Sequence, residues 1–342
     1  MKFEVFDANS IDRKTWNERV ASVPEGSVFQ TTFWADLLQD YLLYRPLYFV
    51  LKDDTGVQGE CLAFIRGIVH QGLFERPLLH LMIPAVQKAF PQLHWQEGPL
   101  VFGKDLEKKA QCLKFFMQSV IEFAKKNKIK SIGNATFPQI ADYNSLVKEE
   151  DLNLWVRKKW ATFIIDLEEE EKILWERLKP STRNKIRNAN KTNISVKRLE
   201  NENELKQYQS FREASGKELK RRVSSYDNLL YMWRHLKLNN CCDFFAAFFE
   251  GSIIASLGLW YFNKNMYEWG VYNSRYASAN RLHASDILKW KVIEFGKNSD
   301  FNYYNLAGVN PQPPDNKEKG IYEFKQKWGG QFKEYWMYDW RG

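Results

Sequence analysis

Val120-Ile121-Glu122-Phe123-Ala124-Lys125 recurs in the second half of the chain as Val292-Ile293-Glu294-Phe295-Gly296-Lys297, with a single change. Each copy ends a stretch whose apolar residues fall at helical spacing. Leu113, Phe116, Met117, Val120, Ile121 and Ala124 form the first series, and Ile287, Leu288, Trp290, Val292, Ile293 and Phe295 the second. A short strand follows each helix, Lys130-Ser131-Ile132-Gly133 and Tyr303-Tyr304-Asn305-Leu306. A hairpin precedes each. The first runs Leu47–Leu51, turns at Asp53-Asp54-Thr55-Gly56, and returns over Glu60–Ile65. The second runs Asp243–Phe248, turns at Glu250-Gly251, and returns over Ile253–Leu259. An acidic residue and Gly between apolar runs is a hairpin signal. Six residues alone match by chance; the same element order around both copies makes an internal duplication the better reading.

Antiparallel strands, a helix and a returning strand make up the core of GNAT-type acyltransferases. The expectation is therefore an α+β fold of two tandem GNAT-like domains. A length of 342 residues fits two domains. The first copy carries an insertion between about Ile68 and Gly98 that holds His70, His80 and His94. Their spacing fits no metal site, and structural or binding-loop roles are expected for them.

Charge is concentrated in one place. Between Lys172 and Arg198 nine basic residues face one acid, Glu176, and their balance of +8 equals the net charge of the whole chain. A single basic element on a neutral body points to a polyanionic partner such as nucleic acid, phosphate or anionic lipid. No stretch of 18 uncharged apolar residues occurs, so no membrane-spanning helix is expected. The opening Met1-Lys2-Phe3-Glu4-Val5-Phe6-Asp7 alternates as a strand and lacks the apolar core of a signal peptide. Cys61, Cys112, Cys241 and Cys242 read as buried thiols in a reducing compartment, which places the chain in the cytoplasm.

Four local patterns resemble the Fem family, whose members transfer amino acids from aminoacyl-tRNA to peptidoglycan precursors. Val28-Phe29-Gln30-Thr31-Thr32-Phe33-Trp34-Ala35 is similar to the family's opening, and Gly98-Pro99-Leu100 to its G-P-V strand. Leu178-Lys179-Pro180-Ser181-Thr182-Arg183-Asn184-Lys185-Ile186-Arg187-Asn188-Ala189 resembles the basic helix that opens the second domain. Gly320-Ile321-Tyr322-Glu323-Phe324-Lys325-Gln326-Lys327-Trp328-Gly329-Gly330 resembles the closing motif and is the most specific of the four. The resemblance implies a first domain over 1–160 and a second over 161–330. It also implies that the final strand, within 331–342, returns to the first domain. It implies an aminoacyltransferase without cofactor, whose donor is aminoacyl-tRNA and whose acceptor is a cell-envelope precursor, with peripheral contact at the inner membrane face. Two positions depart from the family pattern: Leu38 stands where a lysine often binds the uridine-diphosphate precursor, and Asn134-Ala135-Thr136-Phe137-Pro138 replaces x-D-P.

Residue by residue, the resemblance gives Lys325, with Phe324, the catalytic role. A lysine at the edge of a dry cleft can neutralise a donor phosphate or a developing oxyanion. Gln30 and Trp34 are implied at the substrate, as are Arg222 and Tyr226, which are also read at i,i+4 spacing. Arg183, Lys185 and Arg187 are the candidate phosphate or tRNA dock, on a helix with Ser181 as its N-cap. Gly329-Gly330 serves a turn or a close approach. No nucleophile–base pair is found; His235 and His283 have no matched Ser or Cys. The segment Arg275–Arg281, where GNAT enzymes hold a pyrophosphate, contains no glycine, which weighs against acyl-CoA. The alternatives are an acyl-CoA-dependent N-acyltransferase of surface polysaccharide synthesis and a non-catalytic RNA- or membrane-binding protein on the same fold.

Overall fold

The computed structural model describes residues 1–67 and 82–342. His70 and His80 lie outside them. The chain divides into two compact units, Met1–Trp160 with Glu334–Gly342, and Ala161–Lys333.

The first unit is built on strands in the order β1 (Lys2–Phe6), β2 (Arg45–Asp53), β3 (Gly56–Gly67), β4 (Pro91–His94), β6 (Ser131–Thr136) and β13 (Gln331–Arg341), with β5 (Leu100–Val101) paired to β3. The second unit has the order β8 (Ser195–Arg198), β9 (Cys242–Phe249), β10 (Ser252–Phe262), β11 (Asn265–Asn273), β12 (Tyr303–Val309) and β7 (Val156–Asp166). Directions match position by position. Each ladder is antiparallel except for one parallel pairing, β4 with β6 and β11 with β12. Each unit is thus closed by a strand that follows the other unit's equivalent in the chain: β7 comes after β6, and β13 after β12. The strand order and directions agree with the tandem GNAT-like expectation.

The repeated hexapeptide sits at the same point of both units. Val120–Lys125 ends the helix Leu106–Lys126, which leads to β6, and Val292–Lys297 lies in the last turns of the helix Ala284–Asn298, which leads to β12. Leu113, Phe116, Met117, Val120, Ile121 and Ala124 are all buried, and the ring of Phe116 packs against Phe49 and Trp95. Ile287, Leu288, Trp290, Val292 and Ile293 are buried in the second core. The Val, Leu, Ile, Phe and Met side chains among them each contribute about 1.5–3 kcal/mol of burial. The one mismatch has a steric reason. A Cβ on Gly296 would come within 2.8 Å of Leu167 Cδ1 and Met266 Sδ, whereas Ala124 fits its site fully buried.

The hairpin turns form as their residues require. Glu250 and Gly251 both adopt positive φ, 50° and 78°, the combination a two-residue hairpin turn needs. All four cysteines are free, buried thiols. Among the described residues no helix is long and apolar enough to cross a membrane, and no cluster of His, Cys, Asp and Glu could hold a metal.

Two local expectations are corrected. The basic helix runs Pro180–Ala189 and its N-cap is Lys179, not Ser181. Proline fits the first helical position, where its missing N–H costs nothing, and this moves Ser181 inside. Arg222 and Tyr226 do not share a helix. Ser225 caps the helix Tyr226–His235, so Arg222 lies in the preceding loop.

Candidate functional site

The site is built on an irregularity in β12. The parallel ladder of β11 and β12 holds three pairs, the last Tyr267 with Asn305, although the strands run on to Asn273 and Val309. On its other side β12 slips register against β7 between Asn305 and Gly308. Ala307 sits in this bulge with φ 64°. Asn305 holds the bulge, its Oδ1 accepting from Ala307 N at 2.9 Å and from Thr162 Oγ1 at 2.6 Å. Bulges re-aim backbone groups and side chains next to functional sites. Here the carbonyls of Ala307 and Gly308 meet a single ammonium.

That ammonium is Lys325. Its Nζ donates to Ala307 O at 3.1 Å and Gly308 O at 3.0 Å. The helix that carries it, Asn316–Gln326, starts after Pro313-Pro314, and its cap Asp315 accepts from Glu318 N at 2.8 Å. Burial pushes the Lys325 amine down to about 8. Glu268 opposes that fall, while Lys289 and Arg221 add to it. Among the described residues no carboxylate pairs with Lys325.

Beneath it lies a buried ionic group that sequence reasoning missed. Lys289 Nζ is 2.9 Å from Glu268 Oε1 and 2.7 Å from Oε2, and Tyr304 Oη donates to Oε2 at 2.6 Å. The side chain of Lys289 is 0% exposed and that of Glu268 4%. Desolvation lowers the Lys289 amine, and Glu268 opposes it. Burial and the adjacent carboxylate hold the Tyr304 phenol well above its usual range. A signal was present in the sequence: Lys289 interrupts Ile287-Leu288-Lys289-Trp290, and Glu268 alternates in register with inward-facing Met266.

Phe324 ties these charges together. Its ring centroid is 4.7 Å from Lys289 Nζ and 4.2 Å from Lys327 Nζ, and the Trp328 ring lies 5.3 Å from both ammoniums. Such contacts stabilise a desolvated cation. Lys327 pairs with Asp286, in the first turn of the helix Ala284–Asn298. Burial also lowers the Lys327 amine, Asp286 opposing.

The basic helix divides between structural and available cations. Arg183 is anchored through one nitrogen of its guanidinium. Its Nη1 donates to the carbonyls of Glu176 at 2.7 Å and Leu178 at 2.8 Å, at the end of the helix Glu171–Arg177, where carbonyls lack helical partners. Arg187 lies over the Trp175 ring at 5.5 Å and bonds Asn184 Oδ1. Lys185 lies toward the closing motif, close enough for its charge to depress both Lys327 and His283. His283 precedes the helix Ala284–Asn298 in a left-handed conformation, φ 53°. Burial lowers its ring pKa, Asp286 opposes, and Lys185, Lys327 and Arg281 lower it further.

On the remaining strand-side positions, Arg221 stacks at 4.7 Å over Tyr272 and donates to Val271 O. Arg222 is exposed, and its carbonyl accepts from Tyr272 Oη at 3.4 Å. Tyr226 is half-buried and opens its helix.

In the first unit Gln30 brackets two backbone segments. It is fully buried, its Nε2 donates to Gln96 O at 2.6 Å, and its Oε1 accepts from Leu62 N at 2.7 Å. Trp34 is buried edge-on against Phe29, with ring centroids 5.0 Å apart. His94 is structural: Nδ1 donates to Gly133 O at 2.9 Å, and burial pushes its ring down to about 3.

Residues 250–336, which include β11, β12 and the whole Phe324–Gly330 motif, match the model of the FemAB family. No curated protein matches the chain in sequence. Among solved structures the chain is similar to FemX, at 14% identity and a TM-score of 0.75, covering 100% of this chain and 98% of that one. It is also similar to L-PGS from Bacillus licheniformis, at 12% identity and a TM-score of 0.53, over 95% and 91% of the two chains. A tandem GNAT protein of the clavulanic acid pathway matches at 10% identity and a TM-score of 0.52, over 99% and 98%. The chain has the Fem-type tandem GNAT fold.

Proposed function

We propose that this chain is an aminoacyltransferase that moves an aminoacyl group from aminoacyl-tRNA to an amine of a cell-envelope precursor. One observation carries the reading. Within the segment that matches the FemAB family, Lys325 is held by two backbone carbonyls and is bound to no carboxylate among the described residues. A fixed positive charge with no anion of its own suits a reaction in which negative charge develops.

The acceptor nitrogen attacks the ester carbonyl carbon of the donor, and charge collects on the carbonyl oxygen. Lys325 stabilises that oxyanion. Collapse breaks the C–O bond and releases the ribose hydroxyl, which takes the proton the nitrogen gives up, directly or through water. No covalent enzyme intermediate is needed. Phe324 positions the lysine. Lys185 and Arg187 hold donor phosphate. Arg222 and Tyr226 line the acceptor side. The donor serves as co-substrate, no cofactor takes part, and the reaction takes place in the cytoplasm at the inner membrane face.

The rival donor is acyl-CoA. Arg275–Ala279 forms a short helix without glycine, which disfavours close backbone approach to a pyrophosphate. The test is incubation with charged tRNA, or with acyl-CoA, together with lipid-linked and nucleotide-linked amine acceptors, following donor loss and amide formation. Amide formation from charged tRNA is expected. Consumption of acyl-CoA alone would overturn the donor assignment, and consumption of neither would favour a binding protein.

A further inference from the structure

Around Phe324 three lysines share two carboxylates. Asp286 is held by Lys327, and Glu268 is held by both of its oxygens on Lys289. Lys325 is the remaining one of the three, and among the described residues its ammonium meets the Ala307 and Gly308 carbonyls. The charged groups that act on it are Glu268 on β11, Lys289 on the helix Ala284–Asn298, and Arg221 in the loop after the helix Glu202–Glu218. Of these Glu268 is the only acid. Lys289 also lies against the ring of Phe324, the neighbour of Lys325 in the chain.

We propose that Lys289 is a positioning residue for Lys325: it keeps Glu268 as its own counter-ion and supports the Phe324 ring, so that the Lys325 ammonium stands at β12 with no carboxylate bound to it. This rests on the reading of Lys325 as the charge that acts in transfer. Placing a cation in a dry site is costly, and the nearest acid would ordinarily capture it. A lysine captured by Glu268 would be neutralised before any oxyanion formed. The second ammonium removes that competitor while itself staying out of solvent. Tyr304, donating to the same carboxylate, fixes Glu268 toward Lys289.

The experiment measures the titration of Lys325 directly, in the intact chain and without donor. Competitive acetylation with acetic anhydride across pH, read by peptide mass spectrometry, gives the midpoint of the Lys325 amine, expected near 8 in the wild type. In Lys289→Met, Glu268 turns to Lys325 and the midpoint rises by about one unit, a tenfold change in proton affinity. In Glu268→Gln, Lys289 is left uncompensated and the midpoint falls. Thermal melts report folding of both variants. If Lys289→Met does not fold, Glu268→Gln, whose amide keeps the shape, decides alone. A folded variant with an unmoved midpoint, or one moved in the opposite direction, overturns the proposal. So does a Lys289→Met/Glu268→Gln double variant whose shift equals the sum of the two single shifts, because proximity of charges alone adds, whereas capture of Lys325 needs the Glu268 carboxylate and makes the pair non-additive. Labelling needs no transfer. Opposite shifts in a chain that ignores aminoacyl-tRNA would therefore sink the proposed function alone, and an unmoved midpoint in an active chain would sink this inference alone.

Discussion

Lys289 Nζ lies 2.7 Å from Glu268 Oε2, with both side chains withdrawn from water. Removing one partner of such a pair leaves an uncompensated buried charge, at a cost of about 3–5 kcal/mol. Glu268→Gln leaves the Lys289 ammonium without its counter-ion and should lower the unfolding free energy by about that amount. Lys289→Met with Glu268→Gln should recover much of it, since the remaining amide is neutral and can still accept from Tyr304. Urea unfolding of the two variants checks this. Glu268→Gln as stable as the wild type would mean that the Lys289 ammonium finds water there.

Lys325 carries the activity prediction. Lys325→Ala should lower kcat and kcat/KM together by about 10²–10³, the usual loss for one well-placed electrostatic donor. Lys325→Arg keeps the charge and should rescue in part. The protonated amine is the active form, so kcat/KM should fall as pH rises through about 8. A rate that rises through that pH would make Lys325 a base instead. Steady-state transfer across pH distinguishes the two.

The same group affects stability with a definite sign. Its folded pKa, about 8, is below the ordinary 10.5, so the unfolded chain binds more protons between those values. Its contribution is fully present above pH 10.5 and is lost as pH falls through about 8. Between those values wild type should gain stability with pH relative to Lys325→Met. Parallel denaturant midpoints for the two across that range would refute the buried state of this amine.

Arg183 and its neighbours should separate. Arg183→Ala removes the charged donor at the end of the helix Glu171–Arg177 and should cost about 1–2 kcal/mol. Lys185→Ala with Arg187→Ala should leave the melting temperature within a few degrees. It should weaken tRNA binding and make its salt slope shallower by about 0.7–0.9 for each phosphate left without its cation. The checks are thermal melts and binding titrations at several salt concentrations. Equal weakening of binding in all variants would make the whole helix the dock.

The two closing glycines are both confined, for different reasons. Gly329 has φ 74°, and a Cβ there would lie 2.6 Å from the Arg177 carbonyl oxygen. At Gly330 a Cβ would lie 3.1 Å from the Ile164 backbone, without a left-handed φ. Gly329→Ala should destabilise by about 2 kcal/mol or more and Gly330→Ala by less. Chemical denaturation gives the order directly; the reverse order would contradict this backbone geometry.

The elements were legible because their signals are local. The Glu250-Gly251 turn, the helical spacing of Leu113 to Ala124, and the repeated hexapeptide each depend on residues near one another in the chain, and the structure carries them where the spacing placed them. Pro180 was legible too, but its effect on the cap is easily missed, because Ser181 is itself a good cap residue and only the proline's preference for the first turn displaces it. The closing motif pointed to Lys325, though not to what surrounds it.

The sequence by itself determined the strand–strand–helix–strand units and their repetition, because hydrophobic periodicity and turn chemistry are settled over a few residues. Only the tertiary structure decided which ionisable groups are paired. Both ends of the Gln30 amide are used by Leu62 and Gln96, and Nη1 of Arg183 is used by carbonyls at the end of a neighbouring helix, contacts that no local pattern announces. Lys289 and Glu268, on a helix and a strand, meet only when the sheet and its covering helix pack together. Pairing depends on distance and desolvation, and in a folded chain both are set by packing between segments that the linear order keeps apart.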